Sequence, residues 1–217
     1  MKKNLTNLLV ILAAAILLVA GCKFPKIGGG GGNIDTNPTK PTPSISPTTK
    51  TPSSKLIVWE LGNKTSMAAI LYGLTGNESS DSLPKAKILA QEVGEDIPPF
   101  PARKGDKIKD TVEILGYLLN DFGKKFGSKI KDKYGETESA LFEMSLKANT
   151  LLLIYVPNDS TSLTIAKVMR DRAKIGGLPE NLWMPVVKKI ESGESFDEVK
   201  EAVFQMQTDV SSYLNQK

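Results

Sequence analysis

The sequence from Lys55 to Lys217 predicts an all-α domain, a bundle of about four principal helices with shorter helices packed around them. Apolar residues recur there every three or four positions, which is the spacing of one face of a helix. Residues that start and stop helices flank the periodic segments. No long stretch alternates between apolar and polar residues, as a half-buried strand would. A domain of this length buries a core without disulfides or metals.

Two helices are predicted before residue 95. Residues 55–74 suit a helix, although 57–59 (IVW) alone also suit a short strand. Ser82 is expected to cap a second helix that continues to Val93. Residues 97–101 (IPPFP) then predict an extended connection, because proline cannot continue a helix ladder.

The longest helix is predicted from Asp106, its N-cap, to Tyr134, with Gly135 as the stop. Its apolar stripe consists of Ile108, Val112, Leu115, Leu119, Phe122, Phe126 and Ile130. Glycines at 116, 123 and 127 weaken the helix or let a neighbouring helix approach closely.

Two more helices are predicted before residue 178. The first carries an apolar stripe and stops before Pro157; its stripe is Leu141, Met144, Ala148, Leu152 and Tyr155. The second ends at Gly176-Gly177; its stripe is Leu163, Ala166, Met169 and Ala173.

The carboxyl-terminal part predicts two helices. Residues 179–190 suit the start of a helix, but Pro185 is expected to kink or split this segment. Ser195 and Glu198 then form a capping box at the start of the last helix. The apolar stripe of that helix is Phe196, Val199, Val203, Met206, Val210 and Tyr213.

Residues 1–21 have the layout of a secretory signal peptide. Lys2 and Lys3 precede thirteen apolar residues at 8–20, too few for the roughly 20 that span a bilayer. Residues 19–22 (VAGC) resemble the lipobox of bacterial lipoproteins, with Val19 where the family usually has leucine. The resemblance implies cleavage between Gly21 and Cys22 and transfer of diacylglycerol to the Cys22 thiol. The alternative is an ordinary signal peptide or an uncleaved anchor with a chance cysteine.

Residues 22–54 predict a flexible tether between the anchor and the domain. Five consecutive glycines occupy 28–32, and five prolines follow between 38 and 52 among Thr and Ser residues. Such composition cannot bury a core, so disorder and a spacer role are expected. Lys23 suits sorting to the outer membrane or cell surface, since the usual retention residue after the anchor is Asp.

The charge distribution argues against nucleic-acid binding. The formal net charge is +4, but six lysines lie before Lys55. From Lys55 onward, 22 Lys and Arg stand against 23 Asp and Glu, a net charge of −1. Phosphate-backbone binding needs clustered cations on the domain itself.

The chain has no histidine and one cysteine. If Cys22 carries the lipid, the domain has neither of the side chains that most catalytic and metal sites use. This excludes Ser-His-Asp and Cys-His catalysis, structural zinc and histidine- or cysteine-ligated haem and iron–sulfur centres. No cofactor or metal is predicted.

Two groups of residues nevertheless permit catalysis by other means. Carboxylates cluster at 136–143 and 191–201, where they also suit the first turns of helices; they are Glu136, Glu138, Glu143, Glu191, Glu194, Asp197, Glu198 and Glu201. Two SxxK pairs, Ser82/Lys85 and Ser128/Lys131, have the spacing of a Ser/Lys nucleophile. Neither has the companion SDN and KTG motifs that make the pattern specific.

Two charged stretches offer binding surfaces or internal partners. Residues 103–133 hold nine Lys and Arg against five acids, and 191–217 hold six acids against two lysines. The two stretches either pair within the bundle or leave the basic one free for anionic lipid or cell-wall polymer. Trp183 is either core or, if exposed, an anchor for a partner.

The function that these features favour is a non-enzymatic binding or structural module, held outside the cytoplasm on a bacterial membrane. Its partners are the membrane, through lipid at Cys22, and another envelope protein or an anionic polymer; nucleic acid is not expected. The alternatives are a hydrolase that uses carboxylates or a Ser/Lys pair, and a carrier of a small apolar ligand in the bundle centre.

Overall fold

A computed structural model describes residues 52–78 and 81–217. In those two ranges the chain forms seven helices and no strand, so the predicted all-α class is confirmed. Cys22, its leader and most of the tether lie outside the described residues.

The seven helices are α1 (Ser54–Thr75), α2 (Ser82–Val93), α3 (107–134), α4 (Glu136–Ile154), α5 (Ser160–Ile175), α6 (Glu180–Glu191) and α7 (Phe196–Gln216). Helix α3 is continuous but not uniform: Lys107–Gly116 and Gly123–Tyr134 are α-helical, and Tyr117–Phe122 between them is π-helical. No helix in the described ranges is long and apolar enough to cross a membrane.

Helix α4 lies at the centre of the bundle. It contacts α1, α3, α5 and α7, and most of its side chains are buried. The longest helices are α1, α3, α4 and α7, with α2, α5 and α6 packed against them. The predicted bundle of about four principal helices with shorter ones around them is therefore confirmed.

Local capping signals define the helix ends as predicted. The Asp106 carboxylate accepts from the backbone N–H groups of Ile108 and Lys109, at 3.0 and 3.2 Å. Ser195 and Glu198 form the predicted capping box of α7. Gly135 ends α3 with φ of 103°, a value that favours glycine.

The apolar stripe of α3 is correct only in its second half. Phe122, Phe126 and Ile130 are fully buried, but Val112 is 58% exposed, and the side chains buried upstream are Ile114, Tyr117 and Leu118. The π-helical turn explains the difference, because it adds a residue to one turn and rotates the preceding face. A prediction that assumes one uninterrupted helical period therefore places the wrong residues on the buried face in the first half of this helix.

Gly123 closes the π-helical turn. Its N–H donates to the carbonyl of Leu118, five residues back. A Cβ at Gly123 would lie 2.5 Å from that carbonyl oxygen and 2.8 Å from Leu146 of α4. The close approach predicted for the glycines of α3 is therefore found at Gly123, whereas Gly116 and Gly127 have open space around them.

Two smaller predictions are wrong, and a third is wrong in part. Ser82 is the first residue of α2 rather than its cap, because Asp81 takes the N-cap position. Pro185 does not split α6, which continues from Glu180 to Glu191, and the alternative of a kink there stays a prediction. Leu163 is 41% exposed, and Ser162 is buried in its place, where its hydroxyl accepts from the Val156 N–H at 3.1 Å.

Aromatic side chains attach the connection at 95–106 to the bundle. The ring of Phe100 lies between Tyr72 of α1 and Tyr117 of α3, with centroid distances of 5.4 Å to each. The Tyr117 hydroxyl donates to the Pro98 carbonyl at 2.9 Å. Burial raises the pKa of Tyr117, so this hydroxyl stays protonated and remains a donor.

Trp183 is fully buried, and its indole N–H donates to the Leu178 carbonyl at 3.2 Å. The partner-anchor alternative for this residue is thereby excluded, because a buried ring offers no contact surface.

Candidate functional site

Two grooves between helices of the described bundle bring charged and hydroxyl side chains together, and the sequence predicted neither. One is a groove between α3 and α4, and the other is a groove between α1 and α7 that lies over a buried polar network. The first groove is formed by two consecutive helices, and the second by the first and last helices of the described chain.

The α3–α4 groove encloses about 490 Å³ and is open to solvent. It is lined by Leu119, Gly123, Lys124, Gly127, Ser128 and Lys131 from α3 and by Ser139, Glu143, Leu146 and Lys147 from α4. Gly123 and Gly127 contribute no side chain, so the groove is open along this face of α3. Three lysines and one glutamate give it a net positive charge.

One of the three groove lysines is neutralised by an acid at the start of α4. Lys131 Nζ lies 2.6 Å from Glu136 Oε2. This contact raises the pKa of Lys131 and lowers the pKa of Glu136, so both stay charged near neutral pH. Glu143 is held in turn by Arg172 of α5, whose Nε lies 2.7 Å from Glu143 Oε2.

The other two groove lysines are different. Neither Lys124 nor Lys147 forms a salt bridge within the described ranges, whereas Lys125 and Lys129 both reach Glu95, at 2.6 and 3.3 Å. Burial lowers the pKa of Lys147, and the charge of Glu143 offsets only part of that effect. The groove therefore holds two ammonium groups without a salt-bridged carboxylate: Lys147, which is half-buried, and Lys124, which is exposed.

The α1–α7 groove encloses about 450 Å³, and its charges are paired. Lys64 Nζ lies 3.3 Å from Glu60 Oε2, and the Ser211 hydroxyl donates to the same Glu60 carboxylate. Asn63 and Gln207 also line it. Its polar groups are largely engaged with one another.

A buried network beneath the α1–α7 groove joins three helices. Asn149 of α4 donates through Nδ2 to Ser66 Oγ at 2.7 Å and to Asn63 Oδ1 at 3.2 Å. Gln207 of α7 donates through Nε2 to Asn149 Oδ1 at 2.5 Å. All four residues are at most 8% exposed. The centre of the bundle is thus polar and hydrogen-bonded at this level.

The structure places the two SxxK pairs in different surroundings. Ser128 and Lys131 line the same groove, but the raised pKa of Lys131 is the opposite of what a general base needs. Ser82 lines the α1–α7 groove without Lys85, which is exposed. Ser128/Lys131 therefore lacks the deprotonated lysine of a Ser/Lys nucleophile, and Ser82 and Lys85 do not line the same groove.

Most of the clustered carboxylates have a structural partner in the described ranges. Glu136 pairs with Lys131 and Arg172, and Glu138 accepts from the Ser54 hydroxyl at 2.9 Å. Hydrogen bonds from Ser195 lower the pKa of Glu198, so its carboxylate is not kept protonated as a general acid would be. In the described part of the chain, no group of three or more acids, Cys or His is placed to hold a metal.

The basic stretch at 103–133 and the acidic stretch at 191–217 do not form salt bridges with each other in the described ranges. Six of the nine basic side chains at 103–133 pair with nearby acids, which are Glu95, Asp106, Asp110, Glu113 and Glu136. The acidic stretch pairs with Arg170 and Lys200. Internal pairing of the two stretches is therefore not what holds the bundle together.

Comparison with known protein families, with curated proteins and with solved structures gave no match.

Proposed function

We propose that this chain is a lipid-anchored, extracytoplasmic binding module of a bacterial envelope, without enzymatic activity. Cys22 carries the lipid, residues 22–54 form the tether, and the helical domain at 55–217 contacts the ligand. The localisation part of the proposal rests on the signal-peptide layout and the VAGC motif at 19–22. The outer membrane or cell surface is favoured by Lys23.

The observation that supports a binding role is the α3–α4 groove. It places Lys124 and Lys147 in one concave surface with no carboxylate partner in the described ranges. Holding a half-buried ammonium that is only partly compensated costs free energy, and a bound anion offsets that cost. The alternative partner, another envelope protein, fits this surface if it presents an acidic side chain to the groove.

The two alternative functions have less support. A hydrolase needs a lysine or carboxylate whose pKa is shifted toward its task, and Lys131, Glu136 and Glu198 are shifted the other way. Burial lowers the pKa of Lys147, but Lys147 forms no hydrogen bond to a serine hydroxyl in the described ranges. A carrier of an apolar ligand needs an apolar bundle centre, whereas Asn149 makes that centre polar.

Binding can be separated from anchoring by removing the lipid. The mature chain, residues 22–217 with Cys22→Ser, is mixed with envelope fragments from which lipids have been extracted. We expect it to sediment with the fragments, because the groove and not the acyl chains makes the contact. A chain that stays in the supernatant at every protein concentration would contradict the binding role. Serum albumin in place of the chain controls for trapping in the pellet.

A further inference from the structure

Helices α3 and α4 carry two pairs of lysines with different surroundings. Lys125 and Lys129 lie outside the groove and share Glu95 as a counter-ion. Lys124 lies in the groove with Lys147 of α4, and neither has an acid within 4 Å among the described residues. Of these four lysines, the two without a carboxylate partner are therefore the two in the groove.

Other groups in the groove suit an anion with several acceptor oxygens. The Ser128 hydroxyl has no hydrogen-bond partner within the described ranges, so its O–H is available to a ligand. Gly127 leaves open space beside Ser128, since nothing lies within 4 Å of where its Cβ would be. Glu143, the one carboxylate there, is neutralised by Arg172 at 2.7 Å.

We infer that the α3–α4 groove binds phosphate groups of a linear polymer of the envelope, with Lys124, Lys147 and Ser128 as the contacting side chains. This inference rests on the proposed binding role and names the ligand for it. A lysine ammonium is a compact point charge that binds phosphate oxygens well, and a serine hydroxyl adds one donor.

The shape of the groove favours a polymer over a membrane surface. Its α3 wall extends from residue 119 to 131, about 18 Å at 1.5 Å per residue. That length accommodates several linked units but is more than one phosphate needs. A flat bilayer cannot enter a concave seam between two helices. The large apolar side chains that are most exposed, such as Ile88 and Val112, do not line it.

The test uses the mature chain with Cys22→Ser and linear inorganic polyphosphate as the probe, with binding followed by calorimetry at low salt. The variant Lys124→Gln/Lys147→Gln removes the two unpaired charges. The matched control, Lys125→Gln/Lys129→Gln, removes the same charge from α3 outside the groove. We expect the groove variant to weaken binding by about tenfold or more and the control by much less.

A second variant, Lys124→Gln/Ser128→Ala, changes only exposed side chains and keeps the test valid if the Lys147 substitution unfolds the domain. Polyglutamate and phosphatidylglycerol vesicles serve as the carboxylate and membrane probes, and both are expected to bind more weakly than polyphosphate.

Equal losses in the groove and control variants would overturn the inference, because they would indicate general charge attraction only. Tighter binding to polyglutamate or to the vesicles would overturn the phosphate polymer as the ligand. If the groove variant still sediments with delipidated envelope fragments as the unsubstituted chain does, the inference fails while the binding role remains. If neither sediments, the binding role itself fails.

Discussion

The side-chain amide of Gln207 donates to Asn149 Oδ1 at 2.5 Å, across 58 positions of sequence and between two helices that meet in the bundle centre. Both residues are buried. Asn149 also bonds to Asn63 and Ser66, so one buried amide of α4 is the common hydrogen-bond partner of α1 and α7.

Asn149→Ala should destabilise the domain by about 3 kcal/mol, because it leaves the Gln207 amide and the Asn63 side-chain oxygen buried without this partner. A double-mutant cycle with Gln207→Ala should give a coupling free energy of about 1 kcal/mol or more. Urea unfolding followed by circular dichroism measures both values. Gln205→Ala is the control: its bond to Asp209 is exposed, so its effect should stay within about 0.5 kcal/mol. A coupling near zero would refute the network.

The register of α3 can be tested with two neighbouring apolar residues. Ile114 is 2% exposed and Val112 is 58% exposed. Ile114→Ala should cost about 2–4 kcal/mol. Val112→Ala should change the free energy of unfolding by about 0.5 kcal/mol or less. The opposite order would mean that the apolar stripe continues through α3 without the π-helical turn.

Gly123 and Gly116 should respond to alanine with opposite signs. At Gly123 the new methyl group meets the Leu118 carbonyl oxygen, a backbone atom, so Gly123→Ala should destabilise by about 1–3 kcal/mol. At Gly116 there is open space, so Gly116→Ala should stabilise by about 0.5–1 kcal/mol. Thermal unfolding of both variants measures the sign directly. Stabilisation by both would exclude the π-helical turn at Gly123.

The N-cap of α5 predicts a pH dependence. The Asp159 carboxylate accepts from the Thr161 N–H at 2.8 Å, and this bond lowers the pKa of Asp159 below 3.8. A lowered folded-state pKa gives stability that is present above 3.8 and is lost as pH falls through the lowered value. Asp159→Ala should therefore cost about 1 kcal/mol at neutral pH and progressively less in acid.

Asp159→Asn is the matched control, because its amide oxygen caps without titrating. Urea unfolding across the acid range should show that the stability lost by Asp159→Ala, relative to wild type, becomes smaller as the pH falls. The Asn variant should have a free energy of unfolding close to that of wild type at neutral pH. An alanine penalty independent of pH would show that the ionised cap is not the cause.

Features set by neighbouring residues were predictable from the sequence. The capping box of α7 needs only Ser195 and Glu198, three positions apart, and the Asp106 cap needs only the first turn of α3. The buried stripe of α4 likewise follows from the spacing of Leu141, Met144 and Ala148.

Features that join distant residues were not predictable. The π-helical turn depends on how Gly123 packs against Leu146 of another helix. The spacing of apolar residues within α3 carries no information about that contact. The groove brings Lys124 together with Lys147, and the network brings Asn63 together with Asn149. The one available signal was Asn149 itself, a polar residue within the apolar run of α4.

Labelling of the full-length chain in bacterial cells with a fatty-acid analogue tests the anchored-module account most directly, with Cys22→Ser as the matched variant. We expect the wild-type chain to take up the label and to fractionate with membranes, and the Cys22→Ser chain to take up none, since Cys22 is the only thiol in the sequence. Equal labelling of both chains, or a wild-type chain without label, would contradict the account.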